Sequence, residues 1–190
     1  MVNVKELQYK SIPEIIKILG VLENEDFATA DLKKLAYSLN VSVLARNFER
    51  AEFSGESIIC AFVTNGQGNS CIFYSDDLPY KEARIIIFKA FAKYIITGNN
   101  NFFVTQSTDF SKKEKMLTAE LLMPKSRVTE VICQLILPST VVLADIFQVP
   151  EIFVKHRLAE IGIKTLISGY NTTQEAQIMV RLFGPYIPEI

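Results

Sequence analysis

One histidine, His156, and no tryptophan occur in 190 residues. A zinc site with two or three imidazole ligands therefore cannot be built from one copy of the chain. The three cysteines, Cys60, Cys71 and Cys133, are odd in number and lack CxxC spacing. This excludes a disulfide framework and a thiolate metal cluster. Cys60 and Cys71 read as small apolar fillers that face each other across a hairpin. A catalytic metal would need mostly carboxylates, and none cluster in apolar surroundings. The formal net charge is −1, so no overall attraction to nucleic acid or anionic membrane is expected, although a local basic face remains open. No apolar run reaches the length of a bilayer span. The opening MVNVKELQYKSIPEI is polar and mixed in charge, unlike a signal peptide. On these grounds the chain reads as cytoplasmic and reduced.

What the chain does have is apolar mass, 49% of its residues against 22% charged, enough for one sizeable core. The longest strongly apolar stretch is 80–98, YKEARIIIFKAFAKYIITG. Lys89 and Lys93 sit inside it four residues apart, so on a helix they project from one face. Two like charges at that spacing oppose each other, and core packing alone does not select lysine there. The surrounding pattern predicts helices at 3–20 (or from a Ser11 cap, with Ile12 and Pro13 in the first turn) and at 29–39 or 31–39. Gly20 and Asn40 read as their ends. LKKLAYSLNVSV reads either as half of a helix-turn-helix or as a packing helix running into a strand at 41–45. Strands at 57–64 and 70–75 flank Asn65-Gly66, a strong hairpin signal. Asn99, Asn100 and Asn101 read as a polar loop, with Phe102 and Phe103 either exposed to a partner or tucked under that loop. Helices follow at 111–123, 126–137, 140–147 and 151–160, and a last amphipathic one at 172–183. The apolar tail 183–190 could dock on the body or on another protomer. No repeat or low-complexity tract marks a boundary, so the chain reads as one domain over 1–190, with a core of 1–137 and a helical subregion of 138–190.

Three strings occur in a telling order: SDDLPYKEARIIIFKAFAKYIITG, then TAELLMP, then LADIFQVPEIFVKHRLAEIGI. Over roughly residues 31–163 this order resembles the ImmA/IrrE family of zinc metallopeptidases, common in bacteria, phages and mobile elements. The resemblance implies an apolar helix holding HExxH, with Arg84 and Tyr94 as its flanks. In HExxH two histidines one turn apart ligate zinc, and the glutamate activates the bound water. Aligned on those flanks, the ligand positions here are Lys89 and Lys93 and the base position is Ala90. The family's third ligand, a glutamate, falls near Ser111, and Glu114 replaces it only with a shifted register.

The resulting expectation is an α+β fold, mostly helical with a small antiparallel sheet and a zincin-like core. No cofactor or metal is expected, and the protein is expected not to be an enzyme. It would act by binding another protein (a repressor, a protease or a host factor) in phage or mobile-element regulation. Lys89, Ala90, Lys93 and Glu114 are the degenerate active-site positions and the candidate partner cleft. The lysines could receive an acidic group, could solvate an open cleft, or could fill the vacated volume with Glu114 or Asp109 pairing one of them. One alternative is a DNA-binding regulator that uses a helix-turn-helix-like segment at 140–161, with Lys155, His156, Arg157 and Lys164 near phosphates. Another is a metallopeptidase with displaced ligands. No membrane partner is expected, and oligomeric state is not legible.

Overall fold

The computed structural model describes residues 2–20, 31–49, 51–98, 101–135 and 139–163. Lys164, the 172–183 helix and the 183–190 tail lie outside the described residues. In chain order the elements are α1 (Val4–Leu7), α2 (Ile12–Leu19), α3 (Leu32–Leu39), β1 (Val41–Arg46), β2 (Glu52–Phe53), β3 (Glu56–Ser57), β4 (Cys60–Thr64), β5 (Ser70–Ser75), α4 (Tyr80–Thr97), β6 (Asn101–Val104), α5 (Lys112–Leu122), α6 (Lys125–Gln134), α7 (Thr140–Ile146) and α8 (Glu151–Glu160). No described helix is long and apolar enough to cross a membrane.

Local chemistry sets the helix ends. Ser11 and Glu14 form a capping box at α2, with Pro13 in the first turn. Asp31 caps α3 by accepting from the Lys33 and Lys34 N–H groups. Gly20 and Asn40 close these helices in the left-handed conformation, at φ 57° and 54°. The strand that follows Asn40 removes the helix-turn-helix reading of LKKLAYSLNVSV.

The main sheet runs in the order β1-β5-β4-β6. It is mixed, not antiparallel, because β1 lies parallel to β5. The hairpin stands where Asn65-Gly66 placed it, but its loop is longer than a two-residue turn. Thr64 pairs with Ser70, and the Asn65 side chain accepts from the Gln67 and Asn69 N–H groups. The register therefore places Cys60 opposite Tyr74 and Cys71 opposite Val63. The two cysteines do not meet; alternation puts them on opposite faces of the sheet. Asn101, expected in a loop, begins the edge strand β6, which pairs antiparallel with β4.

One face of the sheet carries Val43, Cys60, Phe62, Ile72, Tyr74, Phe102 and Val104, and α4 covers it. Phe62 stacks on Tyr94 at 4.3 Å and on Phe102 at 5.2 Å between ring centroids. On its other sides α4 packs against α5 and α1. Every residue of 82–92 is buried. Such a helix needs no amphipathic stripe, because all its faces meet protein. The last helices are pinned to this body. Lys81 in α4 pairs with Asp145 in α7 at 2.6 Å. Arg157 in α8 donates to the Met123 carbonyl at 2.9 Å and pairs with Glu120 of α5.

Gly98 ends α4 at φ 64°, and a β-carbon there would lie 1.8 Å from the Gln8 amide nitrogen. That amide is the end of a flexible side chain and can move, whereas the backbone strain remains. Gly98→Ala is expected to lower stability by about 1–2 kcal/mol. Gly66→Ala, with nothing within 4 Å and no left-handed φ, should change it by less than about 0.5 kcal/mol. Urea unfolding of both variants checks this; equal effects would refute it.

Candidate functional site

The apolar helix α4 brings Lys89 and Lys93 onto one face, and the segment ahead of α5 meets them. Phe110 lies immediately before the N-cap Ser111 and is buried. The Lys89 ammonium stands 4.4 Å from the Phe110 ring centroid, and the Lys93 ammonium stands 5.3 Å from it. Lys93 also lies 5.8 Å from the Phe102 ring. Both side chains thus reach the same aromatic ring. Phe110 was not singled out from sequence, although an aromatic just before a Ser-x-x-Glu cap is a usable signal for a side chain packed at a helix start.

The two lysines differ in environment. Lys89 is 3% exposed, while Lys93 is partly exposed. Burial lowers the Lys89 pKa from 10.5 to about 7, Lys115 adds repulsion, and Asp109 opposes both. Asp109 itself pairs with Lys115 at 3.3 Å, near the surface. Contact with an aromatic face is worth up to about 2 kcal/mol when desolvated. The desolvation of a buried cation costs several kcal/mol, so burial dominates.

Ala90 is fully buried. Glu114 is also buried, and its carboxylate accepts from the Ser111 N–H at 2.5 Å in the capping box of α5. It serves its own helix terminus. The residues present therefore do not fit the zinc of the family resemblance. At the positions where the resemblance implies two imidazoles and a base stand Lys89, Lys93 and Ala90, and Glu114 is engaged as a cap. Among the described residues no group of three His, Cys, Asp or Glu side chains is placed to hold a metal ion.

Of the expected phosphate contacts, Arg157 is buried and bonded to Met123, Glu120 and Glu160. Lys155 pairs with Glu151 at 3.2 Å within α8. His156 is half-buried, and burial lowers its pKa. The structure does not bring these groups together as a cationic surface. Phe102 turns inward against Phe62. Phe103 points to the opposite sheet face, 42% exposed, with its ring 5.4 Å from Phe53. Neither ring lies on the expected polar loop: both belong to the edge strand β6, which turns Phe102 inward and leaves Phe103 on the other face.

No family model, curated protein or solved structure matches this chain.

Lys89 supplies a stability test. Its pKa is lower folded than unfolded, so between about 7 and 10.5 the unfolded chain binds more protons. Stability contributed through this residue therefore rises with pH across that window. Lys89→Met, which keeps the volume and removes the charge, is expected to be more stable than the native chain at pH 7 and below. The difference should shrink toward zero as pH approaches 10.5. Chemical denaturation of both proteins at several pH values checks it; a difference that does not change with pH would refute it.

Proposed function

We propose that this chain is a catalytically inactive ImmA/IrrE-like protein that acts by binding another protein. The observation that carries this reading is the content of α4. The helix presents Lys89, Ala90 and Lys93 where the resembled family presents two ligands and a base. The sheet, α4, β6 and α5 are then the counterpart of a zincin-like core. Further support comes from the strings themselves. TAELLMP closes α5, and the segment around Arg157 packs onto it through Met123 and Glu120. Two of the three strings behind the resemblance thus form one packing unit.

The binding surface in this reading is the exposed side of the lysine pair. Lys93, between Phe102 and Phe110, reaches solvent, and Lys89 lies beneath it. A cation flanked by aromatic rings suits an acidic segment with apolar neighbours. The setting that the resemblance implies is phage or mobile-element regulation. The partner would be a repressor, a protease or a host factor.

Two measurements test the reading. Purified protein dialysed against zinc should retain far less than one ion per chain; stoichiometric zinc would overturn the inactive assignment. In a pull-down from a bacterial host lysate, Lys93→Glu should reduce the capture of the main partner by about tenfold or more. Lys93 is chosen because a carboxylate at buried position 89 would unfold the site. Unchanged capture would remove the lysine pair from the binding surface.

A further inference from the structure

The main sheet has two edge strands, β1 and β6, and they differ in how they are defended. β6 is four residues long, and the side chain of its first residue, Asn101, accepts from the Thr64 N–H at 2.9 Å. A short edge strand resists pairing with another chain. β1 is six residues long and reads VSVLAR. It contains no proline, glycine, aspartate or lysine, and its register with β5 runs unbroken from Val41 to Arg46. Apart from Arg46 at its end, the usual devices against edge pairing are missing from it.

One bond fixes the direction of its backbone groups. The Asp76 N–H donates to the Arg46 carbonyl at 3.0 Å, so Arg46 faces β5. Alternation along a parallel pair turns Ser42 and Leu44 to β5 as well. Val41, Val43 and Ala45 then direct their N–H and C=O groups to the outer edge. Among the described residues no backbone group bonds them there. The side chains leave the strand open too. Ser42, Leu44, Ala45 and Arg46 are exposed, Leu44 at 46%.

The edge fits an identical edge. A twofold axis perpendicular to the sheet pairs β1 with itself antiparallel and keeps each sheet face on its own side. Centred on Val43, the axis sets Val43 opposite Val43 and Val41 opposite Ala45. All the outward residues of both copies then fall in hydrogen-bonded pairs, about six bonds in all. A centre on Leu44 would set Val41 opposite Asn47, beyond the strand. On the outer face each Leu44 meets Ser42, with the second copy's Leu44 on the diagonal, within reach of a long side chain. Arg46 falls opposite Asn40, so no like charges oppose each other.

We propose that the outer edge of β1 is a homodimer interface, where antiparallel β1–β1 pairing joins the sheets of two copies into one. Strands of this length bury less than a standard interface, so the dimer is expected to depend on concentration. The proposal is independent of the protein-binding reading. The lysine pair lies by Phe102 of β6, at the opposite edge of the sheet.

Sedimentation velocity and hydrogen exchange on the full chain test it. A monomer–dimer equilibrium is expected, with exchange of the 41–46 amides slowing as concentration rises. Ala45→Pro removes an outward N–H from an exposed position and breaks no bond to β5. It should weaken the dimer by at least about tenfold. Leu44→Lys, also at an exposed position, places like charges on the diagonal and should weaken it in the same direction. Phe103→Lys, on the far edge strand, should leave it unchanged. Circular dichroism verifies that each variant is folded. Three results would overturn the proposal: a monomer at all concentrations up to about 500 μM, a dimer that both β1 variants leave intact, or one whose 41–46 exchange does not change with concentration.

Discussion

A helix buried on every side must find a neighbour for each of its faces, and α4 imposes that demand on the whole chain. Its eighteen residues run about 27 Å, longer than any strand of the sheet beside it. The sheet covers one side through Phe62, Ile72 and Phe102. The helix α5 covers another, and α1 closes the end near Gly98. Lys113 of α5 donates to the Gln8 carbonyl at 3.0 Å, which holds the end of α1 against that corner. The capping boxes of α2 and α5 and the left-handed ends at Gly20, Asn40 and Gly98 set where α2, α3, α4 and α5 begin or stop.

Within that helix Lys89 is an expensive choice. The aromatic face of Phe110 offsets only part of the desolvation, and Lys115 works against the charge. A methionine or leucine would fill the same volume at less cost. Stability therefore does not explain the residue. In the proposed reading the position either supports binding through Lys93 above it or keeps the volume of an older ligand set. Arg157 shows the opposite case. It is equally buried, yet its guanidinium is bonded to a carbonyl and two carboxylates. Loss of either α8 or the end of α5 would leave part of that network buried and unsatisfied.

Much of this was legible in the residues, and the failures have physical causes. The caps could be read because Ser-x-x-Glu, Asp, Gly and Asn act locally. The hairpin could be read for the same reason. Its register could not, because the Asn65 side chain bonds the loop from within and sets a five-residue connection over 65–69. That shift moves the partner of Cys60 from Cys71 to Tyr74, an odd number of residues, and so sends the cysteines to opposite faces. The edge strand β6 was hidden because NNNFFV opens with polar residues and alternates for only four strand positions. The parallel pairing of β1 depends on where the chain returns after β4, and no local pattern records that. In the candidate site the lysines were visible as an anomaly of spacing. Phe110 was not, because it meets the lysines only in the folded chain.

The two buried cationic residues of α4, Lys89 and Arg84, follow one rule with different outcomes. On one face a lysine lies against a ring, and its lowered pKa allows the charge to be shed near neutrality. This relieves the repulsion that Lys115 would otherwise exert on it. On the other face an arginine lies against a ring, and shedding the charge is not open to it. A buried lysine can thus settle its own electrostatic cost by deprotonation, whereas a buried arginine keeps its charge and depends on its neighbours, as Arg84 does on Tyr80 and Asp31.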